Sequence, residues 1–228
     1  MIHHGSIEQF LTGVTDRSAL PVIGALARTV RVKAGSDVPL ERHGATLVYI
    51  VSGAAKLVAR AAAEREQVAA FNFAGDLVTV PGAGPHAYVL QALVDCELVA
   101  IPYADMREAV RGDAAVLARL LDNCDNALGR CREKALMLGR KTASERMAGF
   151  LLAMAARIGV PQGEAVLLDL PMSRRDIGDG IGLTIETVSR QFSLLRDDRL
   201  IATEGRSKVR LLDLPALKER AGHLKIRA

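Results

Sequence analysis

Cysteine is scarce in this chain of 228 residues: there are three thiols and none precedes Cys96, too few and too uneven for a disulfide framework. An odd, sparse count fits a reducing compartment. No apolar run approaches the roughly 18 residues of a membrane span, and the start MIHHGSIEQF lacks the apolar core of a secretory signal, so a cytoplasmic protein with no membrane partner is expected. Positive charge is missing from Glu66 to Met106, which holds no Lys or Arg. Repeats, low-complexity tracts and a long Pro/Gly linker are missing as well, so any boundary between domains must fall in a helix.

What is present is ordinary globular composition, 50% hydrophobic and 25% charged, with a net charge of +4 that is unevenly divided. Residues 1–139 carry 14 Lys and Arg against 15 Asp and Glu, whereas residues 140–228 carry 16 against 11. The second half is therefore the one suited to phosphates, although many enzymes also have basic ends. Between Leu26 and Ile101, short β-rich runs such as Leu47 to Val51 and Val89 to Val94 are punctuated by Gly35, Gly44, Gly53, Gly75 and Gly82, a pattern that predicts a β-roll. Ala59 to Glu66, despite its helix propensity, reads as a hairpin tip between two strands.

From Asp113 to Lys141 the residues Leu117, Leu121, Cys124, Leu128, Cys131, Ala135 and Leu138 follow steps of four and three. A narrow seam sustained over three heptads favours helix pairing with a second copy, hence a homodimer. Ala143 to Ile158 predicts another helix, with Met147, Phe150, Leu151 and Met154 buried. Ser173 to Leu195 reads as two helices around a glycine: Ser173 caps the first, which buries Ile177 and Ile181, Gly182 breaks it, and Thr184 caps a second that buries Val188, Phe192 and Leu195. Glu186, Ser189 and Arg190 then face outward. An arginine fork fits guanine O6 and N7, a glutamate accepts from the cytosine amino group, and a hydroxyl meets a base or a phosphate. An i, i+4 Glu and Arg can equally be a surface ion pair. Leu200 to Asp213 reads strand, turn at Gly205, strand, a wing whose outward Arg206, Lys208 and Arg210 suit either the phosphate backbone or the protection of a solvated edge.

The run MSRRDIGDGIGLTIETVSRQFSLLRDDRLI closely resembles the helix-turn-helix of the Crp/Fnr transcription regulators. The likeness extends through LGRKTASERMAGFLLAM (Leu138 to Met154) and, upstream, KAG at Lys33, LVYIVSGAAKL at Leu47 and FAGDL at Phe73, almost the whole chain. ETVSR (Glu186 to Arg190) is similar to the Fnr/FixK branch, which reads TTGA-type half-sites in a palindrome; Ile185 stands where the Crp branch has a further base-reading arginine. The resemblance implies an α+β protein: a jelly-roll β-roll like cyclic-nucleotide-binding domains (1–112), a dimerisation helix (113–141) and a winged helix-turn-helix (142–228). It implies that Ser173, Arg175, Thr184 and Thr187 contact phosphates, although Ser173 and Thr184 also serve as caps, and that RNA polymerase is a partner.

Two signals of the family are absent. Crp-like rolls grip a cyclic phosphate with an arginine, and the cation-free stretch after Gly75-Asp76-Leu77 provides none, so cyclic AMP binding there is not expected, although a helix N-terminus can hold a phosphate through backbone groups. Fnr itself holds an iron-sulfur cluster with amino-terminal cysteines, and those are missing. Cys124 and Cys131 on the seam fit simple packing or a bond to their own copies across the axis, while Cys96 fits the barrel core. His3, His4, His43, His86 and His223 form no chelating pattern beyond the adjacent first pair; His86 falls where Crp-like proteins touch their ligand. No cofactor or metal is expected, no residue is assigned to an effector, and the protein is expected not to be an enzyme. Two other readings stay open: a cupin-like metal enzyme, for which only Glu41 and His43 approach a ligand pair, and a sensor that has lost DNA binding, kept because Gly180 weakens the first helix by about 1 kcal/mol.

Overall fold

The structure is a computed structural model that describes residues 20–41, 44–60, 66–82, 84 and 86–222. The chain divides into two compact units, 1–128 and 129–228, and one helix, α3, runs through the border. His3, His4, His43 and His223 lie outside the described residues, as do the central residues 61–65 of the expected hairpin tip.

The first unit is an antiparallel roll. Its elements are α1 (Leu20–Leu26), β1 (Arg28–Val32), β2 (Thr46–Ser52), β3 (Ala54–Arg60), β4 (Glu66–Phe73), β5 (Leu77–Val80), β6 (Ala87–Ala92), β7 (Cys96–Pro102), α2 (Tyr103–Ala109) and the first part of α3 (Ala114–Arg140). The strands form two sheets, β1-β7-β2-β5 and β4-β3-β6. Arg60 pairs with Glu66, so β3 and β4 are indeed the arms of a hairpin. Between the sheets lies an aliphatic core of Val48, Ile50, Leu57, Leu90, Leu98 and their neighbours, with the Cys96 thiol buried among them. β2 does not alternate because both its faces are covered: Val48 and Ile50 point into the roll, while Leu47 and Tyr49 meet Ile23, Met106, Val110 and Val116 from the helices outside. Asp113 caps α3 by accepting from the Val116 amide at 3.0 Å.

The second unit holds the end of α3, then α4 (Ala143–Ile158), β8 (Val160–Gln162), β9 (Ala165–Asp169), α5 (Arg174–Ile181), α6 (Ile185–Asp197), β10 (Ile201–Glu204), β11 (Lys208–Leu211) and α7 (Leu214–Arg220). Helix α4 packs on α5, α6, α7 and β9, and buries Met147, Phe150, Leu151 and Met154 as its periodicity requires. The expected wing is present, with Val209 and Leu211 inward and Lys208 and Arg210 outward. It belongs to a larger sheet than the sequence indicated, of order β10-β11-β9-β8. The extra hairpin was hidden because β8 is three exposed residues long and contains Pro161.

Candidate nucleic-acid interface

Helices α5 and α6 are held by local chemistry. Ser173 and Asp176 form a reciprocal capping box: the Ser173 hydroxyl accepts from the Asp176 amide at 3.1 Å, and the Asp176 carboxylate accepts from the Ser173 amide at 2.8 Å and from its hydroxyl at 2.6 Å. Gly182 ends α5 in the left-handed region at φ 67°, where a side chain would be strained. Its amide and that of Leu183 both donate to the Gly178 carbonyl, closing a tight turn. Thr184 then caps α6 by accepting from the Thr187 amide at 3.2 Å. Ile177, Ile181, Val188, Phe192 and Leu195 are all buried. The guanidinium of Arg174 lies 3.2 Å from the centroid of the Phe192 ring, and this burial lowers its pKa, with Arg196 adding to the effect.

With the apolar stripe buried, α6 presents Glu186, Ser189 and Arg190 to solvent. Glu186 and Arg190 form no ion pair with each other, and among the described residues none pairs with Ser189 or Arg190. Glu186 instead turns to the helix start: its own amide, then the Thr184 hydroxyl and the charge of Arg175 hold its carboxyl below the usual range. It therefore remains an ionised acceptor at neutral pH. Arg175 is exposed beside it, and the Thr184 and Thr187 hydroxyls bond to one another at 3.0 Å. The Ser173 hydroxyl is already committed to the capping box. Ile185 was not singled out as a contact by sequence reasoning; it is 42% exposed at the first turn of α6, next to Glu186.

Along α3 the seam residues fall into two groups. Leu121, Cys124, Leu128, Cys131 and Ala135 are exposed, the two leucines at 69% and 47%. Leu117 packs on the outer core of the roll. Leu138 lies over the glycine turn, its Cδ2 only 2.9 Å from where a Cβ on Gly182 would stand. Leu136, 58% exposed, lies outside the four-and-three pattern and was missed.

The roll interior is aliphatic, and Arg60 at its edge is occupied by Asp37, at 2.9 Å, and Glu66, at 2.8 Å. His86 is exposed. Among the described residues no three His, Cys, Asp or Glu side chains gather as a metal site, and no helix is long and apolar enough to cross a membrane.

The profile of the Crp-like helix-turn-helix domain matches residues 145–220, the stretch from the first turn of α4 to the end of α7. The nitrogen fixation regulation protein FixK of Azorhizobium caulinodans is 33% identical over 207 residues, covering 89% of this chain and 84% of that protein. The chain belongs to the Crp/Fnr family. Also similar are the transcriptional activator protein FnrL of Cereibacter sphaeroides, 34% identical over 76% of this chain and 71% of its own, and the solved structure of FixK2 from Bradyrhizobium japonicum. The latter superposes with a TM-score of 0.74 at 29% identity, covering 85% of this chain and 96% of that one. As a FixK-like Crp/Fnr protein, the chain is a DNA-binding transcription regulator, α+β in architecture with a Crp-type helix-turn-helix. Neither the cupin-like enzyme nor the sensor without DNA binding is favoured by these relatives.

Proposed function

We propose that the protein acts in the cytoplasm as a homodimer that lays two copies of α6 in successive major grooves of a palindrome of TTGA-type half-sites. The observation that carries this is the outward stripe of α6, where Glu186 and Arg190 project from a helix fixed by its cap and buried face and are not paired with each other. Arg190 reads guanine with its fork, Glu186 accepts from the cytosine amino group, and Ser189 adds a base contact. Ile185 supplies an apolar surface for a thymine methyl. Arg175, Thr184 and Thr187 contact phosphates. Ser173 joins them through the helix start it caps, because its hydroxyl donates to Asp176. In this reading residues 1–112 form the roll, 113–141 the dimerisation helix and 142–228 the DNA-binding domain, and RNA polymerase is met at the promoter.

Binding to a labelled palindrome and to scrambled DNA at several salt concentrations tests this. Glu186→Ala and Arg190→Ala should each weaken the cognate complex by about 5- to 150-fold and the scrambled complex far less. Arg175→Ala should weaken both alike and flatten the salt dependence by about one unit of slope. Equal affinity of the unaltered protein for cognate and scrambled DNA would sink the proposal.

A further inference from the structure

Arg146, in the first turn of α4, lies outside the outward stripe of α6, yet its guanidinium bonds to four backbone carbonyls at two helix ends, one of them that of the seam residue Leu138. Its Nε donates to the Lys141 carbonyl at 2.9 Å and its Nη2 to Leu138 at 2.8 Å, both at the end of α3. Its Nη1 donates to Ile181 at 3.3 Å and Gly182 at 3.2 Å, at the end of α5. The last carbonyls of a helix have no partner in it and carry the negative end of its dipole. Two such ends converge here, and one cation holds them together. Among the described residues no carboxylate forms a salt bridge with Arg146, and the negative ends of these two helices face its charge.

We propose that Arg146 is the positioning residue that fixes the helix-turn-helix against the helix carrying the dimer seam, and thereby sets the half-site spacing that the dimer accepts. The inference rests on the dimeric DNA-binding reading above. Within the second unit two further contacts support the joint: Leu138 over Gly182, and the Lys141 ammonium donating to the Ala221 carbonyl at 2.8 Å. Arg146 is the one of these that reaches both the end of α3 and the turn between α5 and α6 by hydrogen bonds. Its planar fork suits several acceptors in fixed directions, which a lysine, a point charge with three donors, cannot reproduce. In a two-fold dimer each joint occurs twice, so an angular error at Arg146 displaces both recognition helices relative to one another.

The test uses full-length protein, as found and as Arg146→Lys and Arg146→Ala, on duplexes carrying the palindrome with its natural spacer, with one base pair added or removed, and on a single half-site. The unaltered protein should favour the natural spacer by about tenfold or more. Both variants should lose about tenfold on that spacer, bind the single half-site within about threefold of the unaltered protein, and show a flattened preference among spacers. Arg146→Lys keeps the charge and is read alongside a thermal melt, so the result does not depend on Arg146→Ala folding. A variant that keeps the full spacer preference overturns the proposal, as does one whose half-site and palindrome affinities fall in proportion. If the unaltered protein shows no spacer preference, the dimeric reading itself fails; if that preference stands and Arg146→Lys leaves it intact, only the role of Arg146 fails.

Discussion

The double substitution Leu121→Glu, Leu128→Glu is expected to give a folded monomer that binds the palindrome at least about 100-fold more weakly. Both side chains are large, apolar and mostly in solvent, at 69% and 47% exposure, so neither contributes much to the core of its own chain. In a dimer each leucine that becomes buried contributes up to roughly 1.5–3 kcal/mol. Four carboxylates on that surface would replace this gain with the cost of burying charge. Splitting the dimer turns one bivalent event into two separate half-site encounters, and such linkage is worth about 10²- to 10⁴-fold in affinity. Sedimentation, a thermal melt and a binding titration would together read the outcome. A variant that remains dimeric at low micromolar concentration contradicts the seam. Leu117 and Leu138 serve as internal contrasts: each packs on its own chain, so substitution there should lower the melting temperature as well as weaken association.

The parts of the fold that were legible in the sequence are those whose signals are local. Ser173 and Thr184 act as caps because a hydroxyl three residues before a free amide is a contact inside one turn of chain. Gly182 ends α5 because its backbone needs a positive φ, which a single residue encodes. The buried faces of α4, α5 and α6 followed from periodicity, and the heptad steps gave α3 to within a residue of each end. Long-range contacts without a periodic signature were not legible. Arg146 has no signature in the sequence, because an arginine bonded to carbonyls 35 and 36 residues away leaves no pattern along the chain. The stacking of Arg174 on Phe192 is hidden for the same reason. Heptad spacing runs unbroken from Leu117 to Leu138, and spacing carries no sign that the two end leucines are engaged by their own units. Ile185 stands where the Crp branch has an arginine, and its 42% exposure at the start of α6 depends on packing that the sequence does not spell out.

Two glycine-to-alanine changes in the same unit should shift stability in opposite directions. In a helix interior alanine is favoured over glycine by about 0.5–1 kcal/mol. At Gly149 in α4 a Cβ would meet nothing within 4 Å, so Gly149→Ala should gain that amount and leave DNA binding unchanged. At Gly178 in α5 a Cβ would stand 2.5 Å from the Leu183 carbonyl oxygen, with the carbonyl carbon at 3.5 Å and Val188 Cγ2 at 3.6 Å. That carbonyl cannot readily withdraw, because the Leu183 amide is bonded to the Gly178 carbonyl at 3.0 Å and the next residue caps α6. Overpacking of this kind costs about 1–3 kcal/mol, which outweighs the helix-propensity gain. Gly178→Ala should therefore melt lower than the unaltered protein, by roughly 2–4 °C for each kcal/mol of net loss. It should also bind the palindrome more weakly, since the strain is relieved by opening the angle between α5 and α6. Gly178→Val, which adds two methyls beside Leu183 and Val188, should abolish cognate binding. If Gly178→Ala instead melts as high as Gly149→Ala, the close approach of α5 to the start of α6 is not what holds the recognition helix in place.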